Sequence, residues 1–229
     1  MDTLTRDKRK FMKEWKNAQD VFQTLNKTFS YLVLRNFEAF YDSILMESHA
    51  DIDLLCNKKD RKAIIQLLGA EPRLNHDDGI HYQIKIAQDA IPVDIRWDGD
   101  GYYDANWERN MLGKRVLDQR GFYHLDDDNY FWSLLYHALY HKGKISEEYA
   151  LRLQNMNPYL FPASVEELED ALHQYMLQND YYYTIARDPY LWYHFTAYCS
   201  GRVRAYPLYK IKLFVVKCRE YISRHYIKV

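Results

Sequence analysis

The stretch His49-Ala-Asp-Ile-Asp-Leu-Leu-Cys56, taken with Ile91-Pro-Val-Asp-Ile-Arg-Trp97, decides how this chain reads. Both are short runs of Ile, Leu and Val, the composition of strands, yet they carry Asp51, Asp53 and Asp94. In a strand, residues two apart point to one face, so Asp51 and Asp53 share a face while Ile52 and Leu54 take the other. If the segment Val93–Ile95 lies alongside, Asp94 joins them. Three converging carboxylates repel one another unless a cation sits between them, and hard divalent cations take oxygen ligands. The bland alternative is an edge strand that shows alternating acids to water. The apolar surroundings of both stretches favour the metal reading.

Working outward, Phe11, Trp15, Ala18, Phe22 and Leu25 fall at helical spacing and predict an amphipathic opening helix over residues 6–28. Tyr31-Leu-Val-Leu reads as a strand running into a turn. Asp51–Cys56 is a second strand, and Arg61–Leu68 a helix started at Asp60 and stopped by Gly69. His81–Ile86 and Ile91–Trp97 flank the turn Ala87-Gln-Asp-Ala and predict an antiparallel hairpin. From Asp126 onward the pattern is helical. Tyr130–Lys142 ends at Gly143, Ser146 and Ser164 open further helices, and Leu208–Tyr226 reads as a terminal one. Ser164 with Glu167 has capping-box spacing. The chain therefore divides near residue 120, into an α/β domain (1–120) and a helical domain (121–229).

Composition narrows the function classes. In 229 residues, Lys plus Arg number 31 and Asp plus Glu 32, a balance that gives no support to broad capture of nucleic acid or anionic membrane. No apolar run approaches the ~20 residues a membrane-spanning helix needs. The charged N-terminal stretch lacks a signal-peptide core, and three scattered cysteines (Cys56, Cys199, Cys218) suit a reducing compartment. A cytoplasmic protein is expected.

Leu32–Leu34, a turn, Asp-Ile-Asp-Leu-Leu, then an isolated strand aspartate in Val93-Asp-Ile95 resembles the nucleotidyltransferase superfamily related to DNA polymerase beta and kanamycin nucleotidyltransferase. The resemblance covers residues 30 to 97. It implies an α+β fold, a small mixed-sheet nucleotidyltransferase core with helices, followed by an all-helical C-terminal part. It also implies a Mg²⁺-dependent, two-metal enzyme. Asp51 and Asp53 would share the metals, and Asp94 would hold the catalytic one and accept the proton of an attacking hydroxyl. The departure is the turn. Family members place Gly-Gly or Gly-Ser where this chain has Leu34-Arg35-Asn36-Phe37, although small residues there let backbone N–H groups approach a triphosphate. Turns of this variant kind resemble proteins of bacterial capsule, exopolysaccharide and lipopolysaccharide clusters, and phosphocholine- and ribitol-phosphate-type transferases reuse the acidic strand layout.

The implied partners are a nucleoside triphosphate or nucleotide-linked donor and a small hydroxylated acceptor, a sugar of a surface glycan among the candidates. Nucleic acid is not expected. Arg35, Asn36 and Arg96 are the candidate donor-binding residues, with Lys85 as a further local cation. Arg96 shares a strand face with Asp94, yet serves equally as a plain ion-pair partner. Arg35 either contacts phosphate or pairs with Glu38 or Glu47. His137, His141 and Lys142 form a second constellation. Histidines at i and i+4 share a helix face, but Ala138 stands where a zinc protease needs Glu, which excludes that chemistry. They either face the cleft and bind substrate or are hydrogen-bonded helix residues. Asp98 and Asp100 in Trp-Asp-Gly-Asp-Gly read as a turn, since the distal Glu of a calcium loop is missing. The tyrosine-rich Tyr181–Phe195 stretch reads as core, the basic end as a solvated face. Arg219 with His225 faintly resembles a helical ribonuclease signature. Two other functions remain open: a nucleotidyltransferase-like toxin or antitoxin that modifies protein or RNA, and a non-catalytic nucleotide- or phosphate-binding module.

Overall fold

The computed structural model describes residues 13–37, 51–74, 76, 78–184 and 218. In chain order the elements are β1 (Glu14–Trp15), α1 (Ala18–Asn26), β2 (Tyr31–Val33), β3 (Ile52–Cys56), α2 (Arg61–Leu68), β4 (Glu71–Pro72), β5 (His81–Ile86), β6 (Asp89–Trp97), α3 (Ala105–Lys114), β7 (Val116–Leu117), β8 (Tyr123–His124) and α4 (Asp127–Tyr136). A π-helical turn (His137–His141), α5 (Glu147–Met156) and α6 (Val165–Gln178) follow. The strands form one mixed sheet in the order β1-β5-β6-β3-β2-β8-β7, with β4 on the flank of β5. The fold is α+β, as expected.

The central pair fixes everything functional. β3 and β6 run parallel with Asp53 beside Asp94 and Leu55 beside Arg96. All five residues of β3 are buried, so its alternation does not separate core from water. It separates two covered faces, one apolar through Ile52, Leu54 and Cys56, the other carrying the acid. β5 and β6 form the predicted hairpin, but the turn is tighter than expected. Ile86 pairs with Asp89 across Ala87-Gln88, and Ala87 takes a φ of +52° to close it.

Several helices end where the sequence places them. Gly69 caps α2 in the left-handed conformation at φ +62°. Asp60 starts that helix, though its side chain makes no capping bond. Ser146 caps α5, and Ser164 and Glu167 form a reciprocal capping box on α6. Two expectations need correction. The opening helix begins only at Ala18, because Asn17 accepts the Asp20 N–H and caps it there, while Trp15 lies in β1 and donates its indole N–H to the Leu68 carbonyl at 3.0 Å. Residues 6–12 lie outside the described residues. The Tyr130–Lys142 helix begins at Asp127 and widens after Tyr136 into a π turn, in which the Lys142 N–H reaches the His137 carbonyl at 2.9 Å.

The expected division at residue 120 falls in the turn between β7 and β8, and β8 still belongs to the sheet, Val33 pairing with His124. From Asp127 to Gln178 the chain is helical, with α4 packed against α5 and α6. Tyr136, Tyr175, Tyr181 and Tyr183 are buried in the core, which is where aromatic spacing puts them. The terminal helix Leu208–Tyr226, Cys199, the basic end, the Arg219–His225 pair and Tyr190–Phe195 fall outside the described residues. No helix among the described residues is long and apolar enough to cross a membrane.

Candidate active site

Asp51, Asp53 and Asp94 converge. One carboxylate oxygen from each lies within 4.8 Å of the others. The parallel register of β3 and β6 sets Asp53 against Asp94, and Asp51 stands on the same face just before β3. Asp53 is 2% exposed and Asp94 8%. Burial raises the pKa of Asp51, with the Asp53 charge adding to it and Arg35 opposing. Burial, then Asp53, pushes Asp94 up to about 7, against the pull of His81 and Arg96. Asp53 Oδ1 and Asp94 Oδ1 are buried and accept no hydrogen bond from the described residues. Buried carboxylate oxygens with no donor are costly. A hard divalent cation meets that need, so the acids fit magnesium.

The acids open into a cavity of about 360 Å³. Arg35, Asn36, Arg96, His137 and Lys142 line it with the three aspartates, and the sequence missed Arg73, His76, His81, Tyr102 and Tyr149, which line it too. Arg35 is 7% exposed and donates to Asp53 Oδ2 at 2.8 Å. Neither Glu38 nor Glu47 is among the described residues; Asp53 is the partner that keeps Arg35 charged against the cost of burial. Arg96 is 3.7 Å from Asp100 and its guanidinium lies 3.6 Å from the centroid of the Tyr102 ring, so it packs as much as it pairs. Lys85 lies away from the cavity, pairing with Glu14 at 3.2 Å across the β1–β5 edge.

His137 and His141 divide between the two readings. Burial, then the Arg35 charge, depresses the His137 pKa and favours the neutral imidazole. His141 is buried and does not line the cavity, a correction to its expected contact with substrate. Its Nε2 lies 3.0 Å from the Tyr102 carbonyl, which can only accept. That nitrogen carries the proton, and the Nδ1 atoms of His141 and His137 lie 3.1 Å apart. His137 Nδ1 also meets the Tyr102 hydroxyl at 2.8 Å, and Arg35 Nη1 donates to that hydroxyl at 2.5 Å. A connected polar chain thus runs from Asp53 through Arg35 and Tyr102 to both histidines. It braces the acids, and Arg35, Tyr102 and His137 within it also line the cavity.

The glycine-free turn is resolved by Asn36, which adopts φ +61°. Asparagine tolerates the left-handed region better than other side-chain-bearing residues, so the turn keeps a glycine-like backbone. Its Oδ1 accepts from Arg152 Nη1 at 2.9 Å, tying β2's end to α5. Asn36→Ala should therefore destabilise by about 1–2 kcal/mol, from left-handed strain plus the lost bond, and Asn36→Gly by less. Urea denaturation of both variants checks the order.

His81 was legible only through register. It pairs directly with Asp94, its Nε2 3.6 Å from Asp94 Oδ2, and its Nδ1 lies 2.6 Å from Asp78 Oδ2.

No protein-family model matches the chain, and no curated protein sequence matches it. Two solved structures of the antibiotic-resistance factor ANT(2'')-Ia are similar in shape. The solution structure is 15% identical, over 70% of this chain and 89% of that one, with a TM-score of 0.38. The crystal structure in complex with adenylyl-2''-tobramycin is 16% identical, over 68% and 94%, with a TM-score of 0.38. A likeness that loose leaves the functional reading to the cavity itself.

Proposed function

We propose that this protein is a Mg²⁺-dependent transferase that moves a nucleotidyl or phospho-alcohol group from a nucleoside triphosphate or nucleotide-linked donor onto a small hydroxyl acceptor, a surface-glycan sugar being the acceptor to test first. One observation carries it: two of the three clustered carboxylates end in buried oxygens that nothing among the described residues satisfies, in a cavity also lined by Arg35, Arg73, Arg96 and Lys142. Carboxylates that need a cation, in a cavity whose walls also carry guanidinium and ammonium groups, suit a magnesium–phosphate ligand.

Asp51, Asp53 and Asp94 would hold the metal. When bound, it supplies neutralisation of phosphate charge and polarisation of the phosphoryl oxygen. Arg73 and Lys142 bind and orient the donor's phosphates, and Arg96, stacked on Tyr102, adds a fixed positive charge. Asp94 takes the proton of the acceptor hydroxyl, the role its place among the clustered carboxylates at the cavity allows. Arg35 keeps Asp53 in place.

The Arg35–Asp53 ion pair also supports a second reading, in which a fixed guanidinium stands where catalysis would need metal and the protein only binds phosphate. Calorimetry separates the two. Heat with nucleoside triphosphates or CDP-linked alcohols that requires Mg²⁺, and that Asp51→Asn removes, is expected, together with Mg²⁺-dependent release of pyrophosphate or CMP. Nucleotide binding indifferent to Mg²⁺ with no release would establish the binding module instead.

A further inference from the structure

We propose that His76, Asp78 and His81 form a second metal site, for one zinc-class transition cation, beside the three-acid cluster. A ligand atom from each lies within 4.8 Å of the others. His76 and Asp78 lie between β4 and β5 and His81 is the first residue of β5, spaced His-x-Asp-x-x-His. Asp78 Oδ1 is committed to the backbone, accepting the N–H of Ile80 at 2.8 Å and of His81 at 3.1 Å. Arg61 donates to the Gly79 carbonyl and holds the segment from outside. Asp78 Oδ2 is thereby turned toward His81 Nδ1 at 2.6 Å and His76 Nδ1 at 3.6 Å. Two ring nitrogens converge on one carboxylate oxygen, all three side chains largely screened from water.

The other nitrogen of His81 supplies independent support. Its Nε2 faces Asp94 Oδ2 at 3.6 Å. A metal-bound histidine usually gives its remaining N–H to a carboxylate, which fixes the ring and raises its basicity. Asp94 stands in that position. Two imidazoles and one carboxylate suit zinc and its neighbours, whereas magnesium prefers oxygen ligands throughout. Three protein ligands leave a coordination position for water or substrate, and His76 and His81 both line the cavity. The competing arrangement is a hydrogen-bonded turn, with His81 Nδ1–H donating to Asp78 and no ion.

The full chain, stripped with chelator, is titrated with Co²⁺ in excess Mg²⁺ and followed by visible absorption, and then with Zn²⁺ against a chromophoric chelator. One equivalent should bind with a tetrahedral-type cobalt band. His76→Ala and Asp78→Asn, the latter keeping the Oδ1 cap, should each weaken binding by more than about tenfold, the loss even an outer partner causes. Asp51→Asn should leave it unchanged, and circular dichroism verifies that each variant folds. Absence of stoichiometric binding would overturn the site, as would binding that Asp51→Asn abolishes and His76→Ala does not. Zinc binding with no Mg²⁺-dependent nucleotide heat would sink the transfer reading and leave this site standing.

Discussion

Asp94→Asn is expected to lower turnover by about 10²–10⁴-fold, the usual contribution of a positioned acid–base group, while the protein stays folded. Asparagine keeps the shape and the polar contact toward His81 but can neither ligate a cation as an anion nor accept the acceptor's proton. The stability consequence runs the other way. Asp94 is held against Asp53 in a buried site, and both desolvation and that neighbour disfavour its charge. Removing it relieves a repulsion, so metal-free Asp94→Asn should melt at or above the wild-type temperature near pH 8. Asp53→Asn should do the reverse. It leaves Arg35, 7% exposed, without its carboxylate, and breaking one side of a buried ion pair costs roughly 3–5 kcal/mol. Two neighbouring acids of one cluster thus differ in sign for stability and agree for activity. Thermal melts and steady-state rates on the two variants measure both. Wild-type turnover in Asp94→Asn at equal purity would remove Asp94 from the chemistry.

The acids were legible because strand alternation and apolar context speak from a single sequence; Asp51, Asp53 and Asp94 meet where period-two reasoning puts them. Their histidine neighbours were hidden by one detail of turn geometry. A four-residue turn at Ala87–Ala90 would pair Ile86 with Ile91 and set Gln83 opposite Asp94, whereas the actual two-residue turn sets His81 there. Ala87 at φ +52° closes that turn without glycine, and alanine gives no signal of it. Arg35 was recognised as pairing or binding, but its partner lay across β2 and β3, a tertiary fact. The π turn at His137–His141 likewise has no sequence signature, and of its two histidines His137 lines the cavity while His141 does not. Asp100 shows the limit most plainly. The Trp-Asp-Gly-Asp-Gly segment reads as a turn and is one, but the turn reading does not give the burial of Asp100, which is 2% exposed.

That burial leads to the largest stability effect expected outside the acid cluster. Glu108 on α3 is fully buried and accepts the backbone N–H of Gly99 at 2.6 Å and of Tyr103 at 3.1 Å. Asp100 accepts the Tyr102 N–H at 2.8 Å and stands close enough to Glu108 for the two acids to interact. Burial first, then the Asp100 charge, raises the Glu108 carboxyl well above its ordinary range, so the pair retains a proton. Glu108→Ala strands two buried N–H groups and should cost about 3–5 kcal/mol, whereas Glu108→Gln loses one acceptor and should cost about 1 kcal/mol. Because the folded pKa lies above the unfolded one, this group's stabilisation is complete below the unfolded value and is lost as pH rises through the folded one. The Glu108→Gln deficit relative to wild type should therefore shrink as pH rises, and denaturation at several pH values reads it directly. The loop carrying these bonds presents Tyr102 to Arg35, so Glu108→Ala should also loosen Asp53 and reduce Mg²⁺ affinity without touching any residue of the cavity. A Glu108→Ala protein with wild-type stability would show that Gly99 and Tyr103 find other acceptors and that this buried acid pair does not brace the site.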